Sequence, residues 1–124
     1  MSDLGAKFTL GGQEMKNRVV VAPMTRARCE VTEDPYDIKN SLPSQLHVEY
    51  YSQRAGSGLI ITEGTQVSEL GTGWMCAPKM IEDAHAEAWK PVVDEVHAKG
   101  GHIYMQLWNL VSRQWIHYGV ASPI

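Results

Sequence analysis

Three short apolar runs constrain this chain more than any other feature: Val19-Val20-Val21-Ala22-Pro23-Met24, Leu59-Ile60-Ile61-Thr62 and His102-Ile103-Tyr104-Met105-Gln106-Leu107-Trp108. The first, rich in β-branched residues and apolar at alternate and intervening positions alike, suits a strand covered on both sides in a parallel sheet. The second reads as a buried strand of the same kind, bounded by Gly58 and Gly64. A helix is expected between the first two runs, with Ser44 as its N-cap, Leu46, Tyr50, Tyr51 and Arg54 along it, and Gly56 at its end. The clearest helix lies between the second and third runs, from Asp83 to Lys99. There Trp89, Val92, Val93 and Val96 fall on one face, and Glu87, Lys90, Asp94 and Glu95 on the other. Asp83 is placed to cap its start, Lys99 suits its negative end, and Gly100 can take a left-handed stop. Pro91 conflicts with this pattern and predicts a kink or a break after the first turn.

Ahead of these elements, Phe8-Thr9-Leu10 and Gln13-Glu14-Met15 flank Gly11-Gly12, which predicts a small hairpin. Residues 28–44 are polar and irregular, with Pro35, Asn40 and Pro43, and read as a long loop. The order hairpin, β, α, β, α, β argues for an α/β protein with a parallel sheet. There is no internal repeat beyond that alternation, no low-complexity segment and no linker, so the chain is one domain or part of one.

The overall balance narrows the function classes. A formal net charge of -3, with 44% hydrophobic and 20% charged residues, describes an ordinary globular chain without a basic surface for nucleic acid. No apolar run reaches the ~18–20 residues that span a bilayer, and the N-terminus lacks a secretory signal. Cys29 and Cys76 stand far apart in no metal-type spacing, and read as reduced thiols of a cytoplasmic protein rather than a disulfide. His97 and His102 straddle Gly100-Gly101 and do not make a metal pair on one helix face. Gly71-Thr72-Gly73 lacks the third glycine of a dinucleotide fingerprint.

In parallel α/β folds ligands bind beyond the C-terminal ends of the strands. Each apolar run turns polar at that end: Thr25-Arg26 after the first, Thr62-Glu63-Gly64-Thr65 after the second, and Gln106 late in the third. A hydroxyl, a glycine backbone and a carboxamide can converge there on a polar planar ligand. From spacing alone, ordinary strand ends that start loops are the better reading of these residues. Glu63 suits either the lining of the mouth or pairing with Arg26, and the structural pairing is the expectation. Tyr50 and Tyr51 read as packing residues.

The segment NRVVVAPMTR, Asn17 to Arg26, resembles the first barrel strand of old yellow enzymes and 12-oxophytodienoate reductases. Tyr50 to Gly64, YYSQRAGSGLIITEG, resembles their first helix and second strand, and Trp89 to Trp108, WKPVVDEVHAKGGHIYMQLW, their second helix and third strand. The three matches stand in the family's order. The resemblance implies a TIM barrel, (β/α)8 in form, of which this chain supplies the N-terminal hairpin, the first three strands and two helices. Residues 1–124 would then be the N-terminal part of a single FMN-binding domain.

The resemblance also implies site roles. Pro23, Met24 and Thr25 match positions against the flavin ring, with the Thr25 hydroxyl donating to flavin O4. Gly64 matches a position whose backbone comes close to the ring, and Gln106 the carboxamide that pairs with its pyrimidine edge. Thr25 and Trp108 match positions lining the substrate pocket. The implied reaction passes hydride from NAD(P)H through FMN to the C=C bond of an α,β-unsaturated carbonyl compound. The carbonyl-binding pair, the proton-donating tyrosine and the phosphate site match nothing in this chain, so no catalytic residue and no metal ligand is assigned. After Trp108 the family's His and Gly-Arg pair give way to Asn109-Leu110-Val111-Ser112-Arg113, and no role is carried onto residues 109–124. A complete barrel takes about 250 residues. A chain of 124 is therefore expected to self-associate or pair with a complementing chain, and not to retain FMN alone. The rival expectation is a non-catalytic fragment or pseudoenzyme that acts only by assembly.

Overall fold

The computed structural model describes residues 3–30 and 41–110. A two-stranded antiparallel hairpin, β1 (Phe8–Leu10) and β2 (Gln13–Met15), opens the chain. Gly11 and Gly12 both take positive φ in its turn, at 58° and 83°, which a Cβ would disfavour. The turn is the one that the two glycines predict.

A parallel sheet follows, with β3 (Val20–Val21), β4 (Leu59–Gln66) and β5 (Ile103–Trp108) side by side in chain order. Helix α1 (Gln45–Ser52) connects β3 to β4, and α2 (Asp83–Ala98) connects β4 to β5. Tyr51 and Ala55 meet Trp89, Val92 and Val96 of α2 over Ile60, with Val21, Ile103 and Met105 packed alongside. Both helices therefore cover one face of the sheet. The helical stripe expected from the sequence is this core, and burying Trp89 there is worth about 3–5 kcal/mol against alanine.

Among the described residues no helix covers the other face, which is bare in that sense. Side chains alternate along a strand, so Val20 and Tyr104 point away from the helices, and they are 46% and 55% exposed. The expectation of a first strand covered on both sides is corrected here. β3 pairs only at Val20 and Val21, and Val19 and Val20 are exposed because no further strand or layer among the described residues meets that edge. Sequential strands with helices on one face are the arrangement of barrel staves, and also of half a doubly wound sheet.

The helix ends differ in detail from the sequence reading. Glu82, not Asp83, is the N-cap of α2, and the helix runs unbroken through Pro91. Pro91 and Glu87, whose carbonyl loses its partner, are both exposed, so water can take the free acceptor. Each helix opens with a histidine at its third position. The Ser44 N–H donates to His47 Nδ1 at 3.0 Å, and the Glu82 N–H to His85 Nδ1 at 3.2 Å. A ring nitrogen thus does what a Glu or Gln does in the usual capping box. Gly100 ends α2 at φ 67°, as its position predicts. Of the loop expected over 28–44, residues 31–40 lie outside the described residues.

Candidate functional site

The C-terminal end of β4 is shaped by an irregularity. Ile61 pairs with Tyr104 but Gly64 pairs with Gln106, so β4 holds one residue more than β5 between the two pairs. A bulge of this kind re-aims side chains at a strand end. The Gln106 N–H, displaced from its ladder, donates to Thr62 Oγ1 at 3.1 Å. The bulge brings Gly64 onto the bare face beside Gln106, and sets Glu63 toward the helices.

On the bare face Gly64 is buried under Trp108. A Cβ added at Gly64 would come within 2.7 Å of the Trp108 Cδ2 and 2.9 Å of its Cζ3. The indole therefore needs a glycine beneath it. Trp74 lies near the same ring, with centroids 6.0 Å apart. Gln106 is exposed, and no described residue engages its carboxamide. Pro23 and Thr25 are half-buried and Met24 is 50% exposed, on the stretch that leaves β3 at its C-terminal end. Thr25 is tied into the site through its neighbour, because the Arg26 N–H donates to Glu63 Oε2 at 2.9 Å. Gly64, Gln106 and Trp108 thus form one cluster on the bare face, and Pro23, Met24 and Thr25 approach from the adjoining strand.

Behind this cluster sits a buried polar group that the sequence reading reached only in part. The Glu63 side chain is fully buried. The Tyr51 hydroxyl accepts from the Glu63 N–H at 2.8 Å and donates to Glu63 Oε1 at 3.3 Å. Tyr51 is thus more than a packing residue. His47 Nδ1 is occupied by the Ser44 amide, so Nε2 carries the proton, 3.5 Å from Glu63 Oε1 and 3.7 Å from Cys29 Sγ. Burial lowers the His47 pKa to about 4, so the ring is neutral at pH 7 and this contact is not an ion pair. Burial pushes the Glu63 carboxyl above its ordinary range, while the Arg26 amide, the Tyr51 hydroxyl and the Ala27 amide favour its anion. Burial likewise raises the Cys29 thiol and the Tyr51 phenol, with the Glu63 charge adding to both.

The expected pairing of Glu63 with Arg26 therefore holds through the backbone and not the guanidinium, which lies 4.8 Å over the Tyr50 ring. His47 was absent from the sequence candidates. The signal available for it was the Ser44-x-x-His47 spacing, with Tyr51 four residues further along the same helix face.

Comparison with known proteins decides the family. The sequence profile of the NADH:flavin oxidoreductase / NADH oxidase family matches residues 3–118. The chain belongs to this family. It is 41% identical over 110 residues to chanoclavine-I aldehyde reductase fgaOx3 of Penicillium roqueforti, covering 87% of this chain and 28% of that protein. It is also 41% identical over 113 residues to 12-oxophytodienoate reductase 7 of Oryza sativa, covering 89% of this chain and 26% of the relative. Among solved structures, the old yellow enzyme homologue from Zymomonas mobilis superposes with a TM-score of 0.76 at 42% identity, over 87% of this chain and 28% of that one. Morphinone reductase in complex with tetrahydroNAD gives a TM-score of 0.76 at 41% identity, over 88% and 28%. These structural neighbours are TIM-barrel old yellow enzymes, so the partial α/β sheet of this chain resembles staves of such a barrel. The family and these neighbours use FMN and NAD(P)H. The chain spans about a quarter of the curated relatives it matches. No helix among the described residues is long and apolar enough to cross a membrane.

Proposed function

We propose that this chain supplies the flavin-ring side of an FMN site in an ene-reductase. In this reading residues 1–124 are the N-terminal part of one FMN-binding barrel domain: the hairpin, three of its eight strands and two helices. The observation that carries the proposal is the convergence of Gly64, Gln106 and the Pro23–Thr25 stretch at the C-terminal end of a parallel sheet, within a chain of this family.

The residues fit the ring. The Gln106 carboxamide offers both a donor and an acceptor to the polar edge of a flavin, and is exposed on the bare face. The Thr25 hydroxyl, with no partner among the described residues, is free to donate to a ring oxygen. Gly64 presents no side chain, and Trp108 over it forms an apolar wall for the neighbouring substrate pocket. When bound, FMN accepts hydride from NAD(P)H and delivers it to an activated alkene. The chain's own residues hold the ring edge, exclude water at Trp108 and fix the Thr25 donor.

The bare apolar face favours a second element of the proposal. Val20 and Tyr104 are half exposed, and a sheet edge that the described residues leave open at β3 invites another strand. The chain is therefore expected to work with further barrel strands, from a longer polypeptide, other copies or a complementing chain, and to lose FMN when alone. The absorbance spectrum and solution mass of the purified chain, with FMN added and removed, test this. Flavin absorbance in an assembly larger than one chain supports it. Stoichiometric flavin on a monomer overturns the incompleteness, and a well-folded assembly that never takes flavin favours a non-catalytic role through assembly.

A further inference from the structure

We propose that Glu63 is a positioning residue that fixes the backbone carrying Thr25, its buried carboxylate accepting from the Arg26 amide. The functional weight of this rests on the flavin reading above, since Thr25 is the donor that reading aims at the ring. The structural part stands apart from it.

Ala27 is one of only two non-glycine residues at positive φ among the described residues, at 52°. A left-handed alanine is strained, and such strain persists only where surrounding contacts over-determine it. Immediately before Ala27, the Arg26 N–H is held by a fully buried carboxylate, that of Glu63. The Arg26 amide reaches Glu63 Oε2 at 2.9 Å, and the neighbouring Ala27 amide favours the anion of the same carboxylate. The carboxylate is itself held from behind. Tyr51 bonds both the Glu63 amide and Oε1, and His47 Nε2 stands 3.5 Å from Oε1 with its tautomer set by Ser44. The chain of contacts runs from the N-terminus of α1, through a fully buried carboxylate on the bulge of β4, to the stretch after β3.

The geometry explains why a carboxylate is tolerated at the core edge of β4. The bulge between Ile61 and Gly64 turns Glu63 toward the helices while its neighbour Gly64 faces the opposite side. One irregularity thus sets both the glycine of the proposed ring site and the anchor of the loop that carries Thr25. Pro23 restricts the stretch between β3 and Thr25 through its fixed φ. The anchor at Arg26 and Ala27 restrains it from the other side, leaving Met24 and Thr25 between two fixed points.

The test uses the isotope-labelled chain without flavin, so that failure of the flavin reading does not affect it. In the wild-type chain the Arg26 and Ala27 amide protons are expected well downfield of their unstructured positions, with slow hydrogen exchange, and Thr25 in one χ1 rotamer by its three-bond couplings. In Glu63→Gln an amide group with one acceptor oxygen replaces the carboxylate. Exchange at Arg26 and Ala27 is then expected to rise at least about tenfold, and the Thr25 couplings to average, while exchange across α2 and β5 stays within about threefold. Unshifted Arg26 and Ala27 amides in the wild-type chain would overturn the proposal even if the variant failed to fold. So would a folded Glu63→Gln chain with unchanged exchange and couplings. A variant that loosened α2 and the Thr25 stretch equally would reduce Glu63 to a general stabiliser and overturn its positioning role. If the anchor holds but FMN never perturbs Thr25, the flavin reading fails and the anchor remains.

Discussion

Gly64→Ala is the substitution whose consequence the structure fixes most tightly. The new methyl would lie within 2.7 Å of Trp108 Cδ2 and 2.9 Å of Cζ3, well inside van der Waals contact. The clash is with a ring on the neighbouring strand and not with the end of a flexible chain, so relief requires the indole to rotate off β4 or the two strands to separate. Overpacking of this kind costs about 1–3 kcal/mol. For a domain of this size each kcal/mol moves the melting temperature by roughly 3–6 °C. Chemical or thermal unfolding followed by circular dichroism reads the loss, and tryptophan fluorescence reads the displaced ring. The decisive arm is a double-mutant cycle with Trp108→Ala. Removing the indole should remove the penalty, leaving Gly64→Ala within about 0.5 kcal/mol of neutral in that background. An equal penalty with and without Trp108 would refute the reasoning, because the glycine would then serve backbone conformation or some other neighbour.

The remaining expectations draw on other parts of the molecule. Trp89→Ala removes the largest fully buried side chain of the core and should cost about 3–5 kcal/mol in denaturant unfolding, a large share of the ~5–15 kcal/mol of an ordinary domain. His47 has a folded-state pKa near 4 against 6.5 for the free group, so the unfolded chain binds the extra proton first and stability falls as pH drops from about 6.5 to 4. Glu63, raised above 4.5, contributes in the opposite sense, its stabilisation present at low pH and lost as pH rises through its folded value. Comparing melting temperature against pH for wild type and His47→Gln isolates the first effect, and the variant should show the shallower fall between pH 6.5 and 4. Cys76 is partly exposed while Cys29 is buried with its thiol pushed up, so iodoacetamide should label Cys76 first, as read by peptide mass mapping.

The regular elements were legible because their signals are local. Two glycines marked the hairpin turn, the Trp89–Val96 stripe marked the face of α2, and Gly100 marked its end. The parallel sheet followed from apolar runs alternating with helices. What local pattern misjudged was cover. Val19 and Val20 read as buried because β-branched residues suit a strand enclosed on both sides, yet enclosure depends on strands and layers that a six-residue window does not contain. The bulge in β4 was equally invisible, since it is defined by a count against β5 and not by composition. The environment of Glu63 is hidden for the same reason: side-chain chemistry points to the Arg26 guanidinium, whereas the partner is the Arg26 main-chain amide, which leaves no trace in the sequence. His47 was missed because a histidine at the third position of a helix substitutes for the Glu or Gln of the familiar cap. The flavin-facing assignments came from family motifs; spacing alone left them as strand ends.

The most direct test of the central claim is a titration of lumiflavin, the flavin ring without its phosphate tail, into the isotope-labelled chain while amide shifts are followed. Because the chain alone is not expected to retain flavin, weak, fast-exchanging perturbations are predicted, centred on Met24, Thr25, Gly64 and Gln106, with the Trp108 indole N–H among them and the α1–α2 surface unaffected. Perturbations centred elsewhere, or none at those residues up to the solubility limit of the ring, would contradict it.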